Sequence, residues 1–155
     1  MNPRIVNISA KKVIGMKNSM HHNEHENIVA LWKSFMPNRK DIQSVINDEF
    51  IAIQVYSEFN KHDKPFNIIA CVEVIDFKDI PDTMEAFTIP EGKYAVFLQK
   101  GLDAFGLYQR IMSEWLTTSG YEIDNRPHFQ VMGEKYKNAD PESEEDFYVP
   151  IKLRN

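Results

Sequence analysis

The chain has a single cysteine, Cys71, in 155 residues. It has no means of forming an intramolecular disulfide, which fits a reducing compartment. Long apolar runs are also missing. Runs of five, such as Ile68–Val72 and Tyr94–Leu98, fall far short of the ~20 residues that a membrane-spanning helix needs. The opening residues, Met1-Asn2-Pro3-Arg4-Ile5-Val6-Asn7, contain no apolar h-region, so no secretory signal is expected. Nor is there an excess of positive charge. Lys and Arg number 18 against 23 Asp and Glu, a net charge of −5. That balance lacks the bulk electrostatics for duplex DNA, although it leaves room for a local basic face. The expectation is a soluble, cytoplasmic protein that neither enters a membrane nor binds DNA directly.

What is present suits a globular fold. Hydrophobic residues make up 43% and charged residues 26%, which excludes a mainly disordered or collagen-like chain. The length predicts one domain, able to bury about 68–70% of its unfolded surface. Residues 4–16 read as extended, with Ile5, Val6, Ile8, Val13, Ile14 and Met16 at no helical spacing. After the polar stretch Lys17–Asn23, Ile28, Leu31, Trp32, Phe35 and Met36 form one apolar stripe over two helical turns. Asn23 is its candidate N-cap, and Pro37 its expected end.

Phe50–Tyr56 and Asn67–Val74 read as two strands of a hairpin, with a turn around Asn60–Pro65. Asp76–Glu91 reads as a connector. The order then repeats. Lys93–Gln99 is a strand; Leu102–Thr117 is a helix with Phe105, Tyr108, Met112, Trp115 and Leu116 in its stripe. Gly120 marks its C-terminal end. His128–Tyr136 and Asp146–Lys152 are two more strands, joined by an acidic loop. A shift of 83 places Val13 on Val96, Ile28 on Ile111, Trp32 on Trp115 and Pro37 on Gly120. This argues for an internal duplication of a strand–helix–strand–strand unit, residues 4–75 and 92–155 around connector 76–91. A crevice is expected where two such halves meet.

Several motifs carry no chemistry. Met20-His21-His22-Asn23-Glu24-His25 lacks the HExxH zinc spacing and reads as a solvated helix start. No metal and no cofactor are expected. Gly101 and Gly106 have the glycine spacing of a P-loop, but Leu107-Tyr108 stands where Lys-Ser/Thr is required. Glu142, Glu144, Glu145 and Asp146 read as a solvated acidic loop. Cys71, inside an apolar run, reads as a small buried hydrophobe. No Ser-His-Asp or Cys-His arrangement is evident.

The stretch Ile89-Pro90-Glu91-Gly92-Lys93-Tyr94-Ala95-Val96-Phe97, then Lys100-Gly101, Trp115-Leu116 and Ser119-Gly120-Tyr121, resembles the second half of the GyrI-like effector-binding domain. Pro127-His128-Phe129, Glu134-Lys135-Tyr136 and Asp146-Phe147-Tyr148-Val149-Pro150-Ile151-Lys152 are similar to its closing pattern. The first half fits more loosely: Cys71 stands near a position where the family has a glycine. The resemblance spans the whole chain. It implies an α+β fold, a curved antiparallel sheet of about eight strands with two helices on one face and a central pocket. In several relatives that pocket takes bulky lipophilic cations. Regulators of this family carry a helix-turn-helix ahead of the domain, and the family-like strand here begins at Arg4, so a stand-alone sensor or sequestering module is expected.

Strand parity puts Glu134 on one face with Gln130, Met132 and Tyr136, and leaves open which face is buried. The resemblance implies an acidic residue at the pocket floor here, where a desolvated carboxylate would select cations. Tyr56, Tyr94, Phe97, Trp115 and Tyr136 lie on elements around the expected crevice, and flat rings suit planar cations. Glu134, Tyr136, Trp115, Tyr56 and Phe97 are therefore the candidate ligand-binding residues. Two other functions remain open. Some stand-alone relatives are hydrolases of reactive natural products, for which Glu134 as general acid/base with Tyr136 or Tyr56 would be the minimal machinery. Others act on a protein partner, as the restraint of DNA gyrase that names the family implies.

Overall fold

The structure, a computed structural model, describes residues 2–21, 24–56 and 64–155. Its nine strands are β1 (Arg4–Ile8), β2 (Lys11–Met20), β3 (Phe50–Val55), β4 (Phe66–Glu73), β5 (Glu85–Ile89), β6 (Gly92–Lys100), β7 (Tyr121–Ile123), β8 (His128–Met132) and β9 (Glu144–Leu153). All pair antiparallel, in the order β1-β6-β9-β8-β3-β4-β2-β5, with β7 added on β9. The first helix, α1 (His25–Phe35), lies between β2 and β3; the second lies between β6 and β7. The second is not uniform: α2 (Ala104–Arg110) runs through a π-helical turn (Ile111–Trp115) into α3 (Leu116–Ser119).

Register shows which face carries the helices. Directly paired residues of an antiparallel sheet point the same way. The pairs Phe97↔Phe147, Phe147↔Gln130, Gln130↔Ala52, Ala52↔Ala70 and Ala70↔Met16 make one row across six strands. At one end of that face, Leu31 and Phe35 of α1 pack on Ile14, Ile68, Ala70 and Val72. At the other, Leu107, Ile111 and Leu116 pack on Ala95, Phe97, Phe147 and Val149. Both helices thus cover the same face, as the sequence predicts.

The opposite face has no helix, yet Val13, Ile53, Cys71, Tyr94 and Phe129 are fully buried on it. The sheet covers this face itself by curling. β1 pairs with β6 through Arg4↔Val96 and Ile8↔Gly92, and β2 with β5 through Lys11↔Ile89 and Gly15↔Glu85. These are one continuous register, so residues 4–15 and 85–96 form a single ribbon that crosses the gap between the sheet's two ends. The Cys71 thiol, pushed well above its usual pKa by burial, donates to the Ile51 carbonyl (3.4 Å) and is an inert part of this core.

The sequence reading differs at several points. The extended segment 4–16 is two strands, and β2 continues through the polar residues to Met20. The connector contains an unforeseen strand, β5, whose alternation is too short to stand out from its Pro-flanked surroundings, and the three-residue β7 is equally unforeseen. Pro37 sits in the first turn of a 3₁₀ segment (Met36–Asp41), where its missing N–H leaves no bond unmade, so the chain keeps turning beyond it. Asn23 and most of the 60–65 turn lie outside the described residues. Both β1 and β5, and β2 and β6, start 81 residues apart, two fewer than the tryptophan spacing. The second half therefore holds two extra residues before its tryptophan, in a stretch that includes part of the π-helical turn.

Gly15 is where β2 crosses β4 most closely. A Cβ there would run into the Ala70 carbonyl oxygen and Cys71, both held by the sheet. Gly15→Ala should lower stability by about 3 kcal/mol, the upper end of overpacking costs, because backbone cannot yield as a side chain does. Urea unfolding followed by circular dichroism measures this; a loss under about 0.5 kcal/mol would show that β2 can lift off β4.

Candidate functional site

Between the two helix-covered clusters runs the middle of the sheet, β3 and β8. Its floor is unlike the clusters on either side. Ala52 and Ala70 contribute only methyl groups to the central row. Beside them the side chains turn polar. Gln54 Nε2 donates to Gln130 Oε1 at 2.7 Å, a diagonal contact between β3 and β8. His128, 1% exposed, is the cross-strand partner of Gln54. Burial holds its imidazole neutral, with the pKa lowered to about 3.

Aromatic rings border this strip. Tyr56 follows β3 and packs on Phe66 (ring centroids 4.8 Å) and edge-on to His128 (5.2 Å). His128 in turn lies 6.4 Å from the Phe147 ring. Tyr108 comes in from α2, close enough to Tyr56 for the two hydroxyls to influence each other. Burial pushes the Tyr56 hydroxyl up to about 12 and that of Tyr108 higher still, so both stay neutral at any physiological pH.

Glu145 supplies the charge. On β9 it shares a face with Phe147, Val149 and Ile151, all of which point under the second helix. Its cross-strand partner is the buried Gln99. Glu145 is partly buried, and its carboxylate makes no hydrogen bond or ion pair among the described residues. Desolvation raises its pKa from 4.5 to about 7. Tyr136, in the loop after β8, lies near it: desolvation first, then the Glu145 charge, raises the tyrosine's pKa. An acidic group, several rings and two amides thus converge on the strip between the helices.

The structure sorts the expected residues. Tyr56 lies at the floor. Phe97 and Trp115 meet edge-on at 5.2 Å within the cluster under the second helix, on the side nearest Phe147. Tyr136 is 37% exposed, at the rim beside Glu145. Glu134 is placed differently: β8 ends at Met132, and Glu134 sits exposed on the following turn, closed by the Tyr136 N–H donating to the Gly133 carbonyl at 3.1 Å. Strand parity cannot carry its side chain inward because the strand has ended. Tyr94 points to the helix-free face, where its hydroxyl donates to the Pro90 carbonyl at 2.9 Å.

The expected acidic loop is partly strand. Within β9, Glu145 turns to the helices while Asp146 turns away and pairs with Arg4 at 3.5 Å. At the helix start, His21 Nδ1 lies 3.0 Å from Glu24 on the surface, and no cluster suited to a metal occurs among the described residues. Two shallow hollows of about 300 and 340 Å³ lie elsewhere, one beside Glu122 and Arg154, the other beside Lys17 and Glu85. Neither is lined by Glu145, Tyr56, Tyr108 or the glutamine pair.

Residues 4–151 match the model of the integron-associated effector-binding proteins. The chain belongs to this family. The GyrI-like effector-binding fold foreseen from the sequence is therefore the right one. A transcriptional regulator of Pseudomonas aeruginosa, BrlR, is 29% identical over 154 residues, which span 97% of this chain and 56% of the regulator. The chain thus corresponds to about half of that protein. Among solved structures, the C-terminal domain of EcmrR is similar over 99% of this chain and 98% of its own, with a TM-score of 0.72 at 13% identity. SAV2435, solved bound to tetraphenylphosphonium, is similar over 98% and 94%, with a TM-score of 0.67 at 15% identity. A hydrolase from Listeria innocua is similar over 97% and 92%, with a TM-score of 0.59 at 10% identity. At such identities these likenesses establish the fold. Among the described residues, no helix is long and apolar enough to cross a membrane.

Proposed function

We propose that this effector-binding protein is a binding module for lipophilic organic cations, serving as a sensor or a sequestering protein. One observation carries the reading: Glu145 is a partly buried carboxylate with no cationic partner among the described residues, next to aromatic side chains. Desolvating such a group is unfavourable until a cation arrives, and the rings around it offer stacking and cation–π contact. The tetraphenylphosphonium complex of SAV2435 supports the ligand class. Tyr56, Tyr108, Tyr136, Phe97 and Trp115 take the role of the aromatic surround, and Glu145 takes the role expected of Glu134. The charge of −5 argues against duplex DNA as a partner, and the module is read as soluble and cytoplasmic.

A second reading has one observation in its favour. A carboxyl that titrates near neutrality is poised to give or take a proton, and neutral tyrosine hydroxyls lie in the same crevice. That is the minimal machinery for hydrolysis, and the structurally similar Listeria innocua protein is a hydrolase. One experiment addresses both readings. Tetraphenylphosphonium is titrated by calorimetry, and a panel of cationic dyes and electrophilic natural products is incubated and analysed by mass spectrometry. Saturable micromolar binding with every compound recovered unchanged supports the binding module. Hydrolysed products lost in Glu145→Gln support the hydrolase. No binding and no turnover would end both.

A further inference from the structure

The glutamine pair at the crevice floor does something that an acid and a ring of aromatics do not. A glutamine amide offers two N–H donors and a carbonyl with two lone pairs. The single 2.7 Å bond between Gln54 and Gln130 uses one donor and one lone pair. It is the only hydrogen bond that either side chain makes among the described residues. One carbonyl oxygen and one amino group are left over, and exchanging nitrogen and oxygen in both amides leaves the same remainder. Of their cross-strand neighbours on this floor, Ala52, Ile68 and Phe147 are apolar, and the fourth, His128, packs against Tyr56 and makes no hydrogen bond with either glutamine. Both side chains are only partly buried, so the unused donor and acceptor are not sealed into the core and stay accessible to a ligand. The unmet donor and acceptor face the crevice.

We infer that Gln54 and Gln130 form a hydrogen-bonding subsite, and that the preferred ligands are organic cations carrying a carboxamide-like group at a fixed distance from the charge. This rests on the reading of Glu145 as the cation's partner. Gln130 is paired with Phe147, two residues from Glu145 on β9, so the subsite lies one sheet diagonal from the carboxylate. Such diagonals span roughly 7–8 Å. A flat aromatic spacer of about that length would lie along the floor beside Phe147, with its charge at Glu145 and its amide at the glutamines. A cation that is hydrocarbon all round leaves the pair unmet.

The test uses two probes on the whole protein: 4-carbamoylbenzyltrimethylammonium and its 4-isopropyl counterpart, whose shapes are close and whose charges are equal. Calorimetry should show the carbamoyl probe binding about tenfold more tightly to the wild type, the usual worth of one or two well-made hydrogen bonds. In Gln54→Met/Gln130→Met the two probes should become equal, with the loss falling on the carbamoyl probe alone. Gln130→Met serves if the double variant does not fold. Equal affinities in the wild type overturn the subsite. If Glu145→Gln then weakens both probes, the cation reading survives that failure. A preference that persists in the glutamine variants also overturns the subsite, since it must arise elsewhere. If neither probe binds the wild type, both proposals fall together.

Discussion

Replacing Glu145 by Gln should weaken tetraphenylphosphonium binding about 10- to 100-fold at pH 8, the range of interactions made to a charged group. The shape of the floor is kept and only the charge is lost. The wild type should approach the variant as the pH falls from 8 to 5. The carboxyl titrates near 7, so acid supplies the neutralising proton that the substitution supplies permanently. Cation binding favours the ionised form and should release protons when measured near neutrality. Stability should move the other way. An acid whose pKa rises from 4.5 to about 7 on folding binds its proton more tightly in the folded state. Its penalty is absent below pH 4.5, grows through that window and is complete above 7. Glu145→Gln should therefore gain about 1–2 kcal/mol at pH 8, after allowing for solvent screening, and nothing at pH 4. A variant that binds as well as the wild type at pH 8 would remove Glu145 from the site.

The second large effect belongs to His128. In the unfolded chain its imidazole titrates near 6.5; in the folded protein burial lowers this to about 3. The depressed value means that the unfolded chain binds a proton that the folded protein refuses. The stabilisation is complete above 6.5 and is lost as the pH falls towards 3. Between pH 7 and pH 4.5 the loss should be roughly 2–3 kcal/mol. His128→Phe keeps a ring against Tyr56 and Phe147 and cannot titrate, so its stability should fall less steeply with acid whatever its value at pH 7. Urea unfolding at several pH values gives both slopes. Parallel slopes would show that His128 is not the group that refuses the proton. Because Glu145 gains where His128 loses, the wild type should be flatter between pH 7 and 4.5 than Glu145→Gln.

The architecture was readable because burial repeats in a simple way. The stripe Ile28, Leu31, Trp32, Phe35 is the face that α1 presents to β2 and β4, and FIAIQVY and NIIACVEV are short, β-branched apolar runs, as strands buried on both faces are. The site was only half readable, and Glu134 and Glu145 show why. Parity is a sound rule within a strand and says nothing past its end, and Gly133, the local sign that β8 stops at Met132, is a weak one beside the polar residues that continue the alternation. Glu145 was hidden among other acids, whose mutual repulsion suggests a solvated loop. The signal was nonetheless there: counting back by twos from Ile151, Val149 and Phe147 lands on Glu145. Gln54 and Gln130 lie on predicted strands, but their contact depends on the register of β3 against β8, which joins residues 76 apart. No local pattern encodes that.

The ribbon of residues 4–15 and 85–96 joins the two halves as a reciprocal clasp. Each half begins with a strand that it does not itself use: β1 completes the edge of β6, and β5 the edge of β2. If the chain were cut near Asp79, each fragment would keep its helix and its own paired strands, β2–β4 in the first and β6–β9 in the second. Each would also carry one orphan strand and lack one that only the other fragment can provide. Neither piece closes its side of the helix-free core alone, so folding should be all-or-none for the pair, and the fragments should recover their structure on mixing. Two copies of the intact chain hold the same parts and could exchange them. A crevice built between halves locked in this way opens by yielding within each half, not by the halves swinging apart.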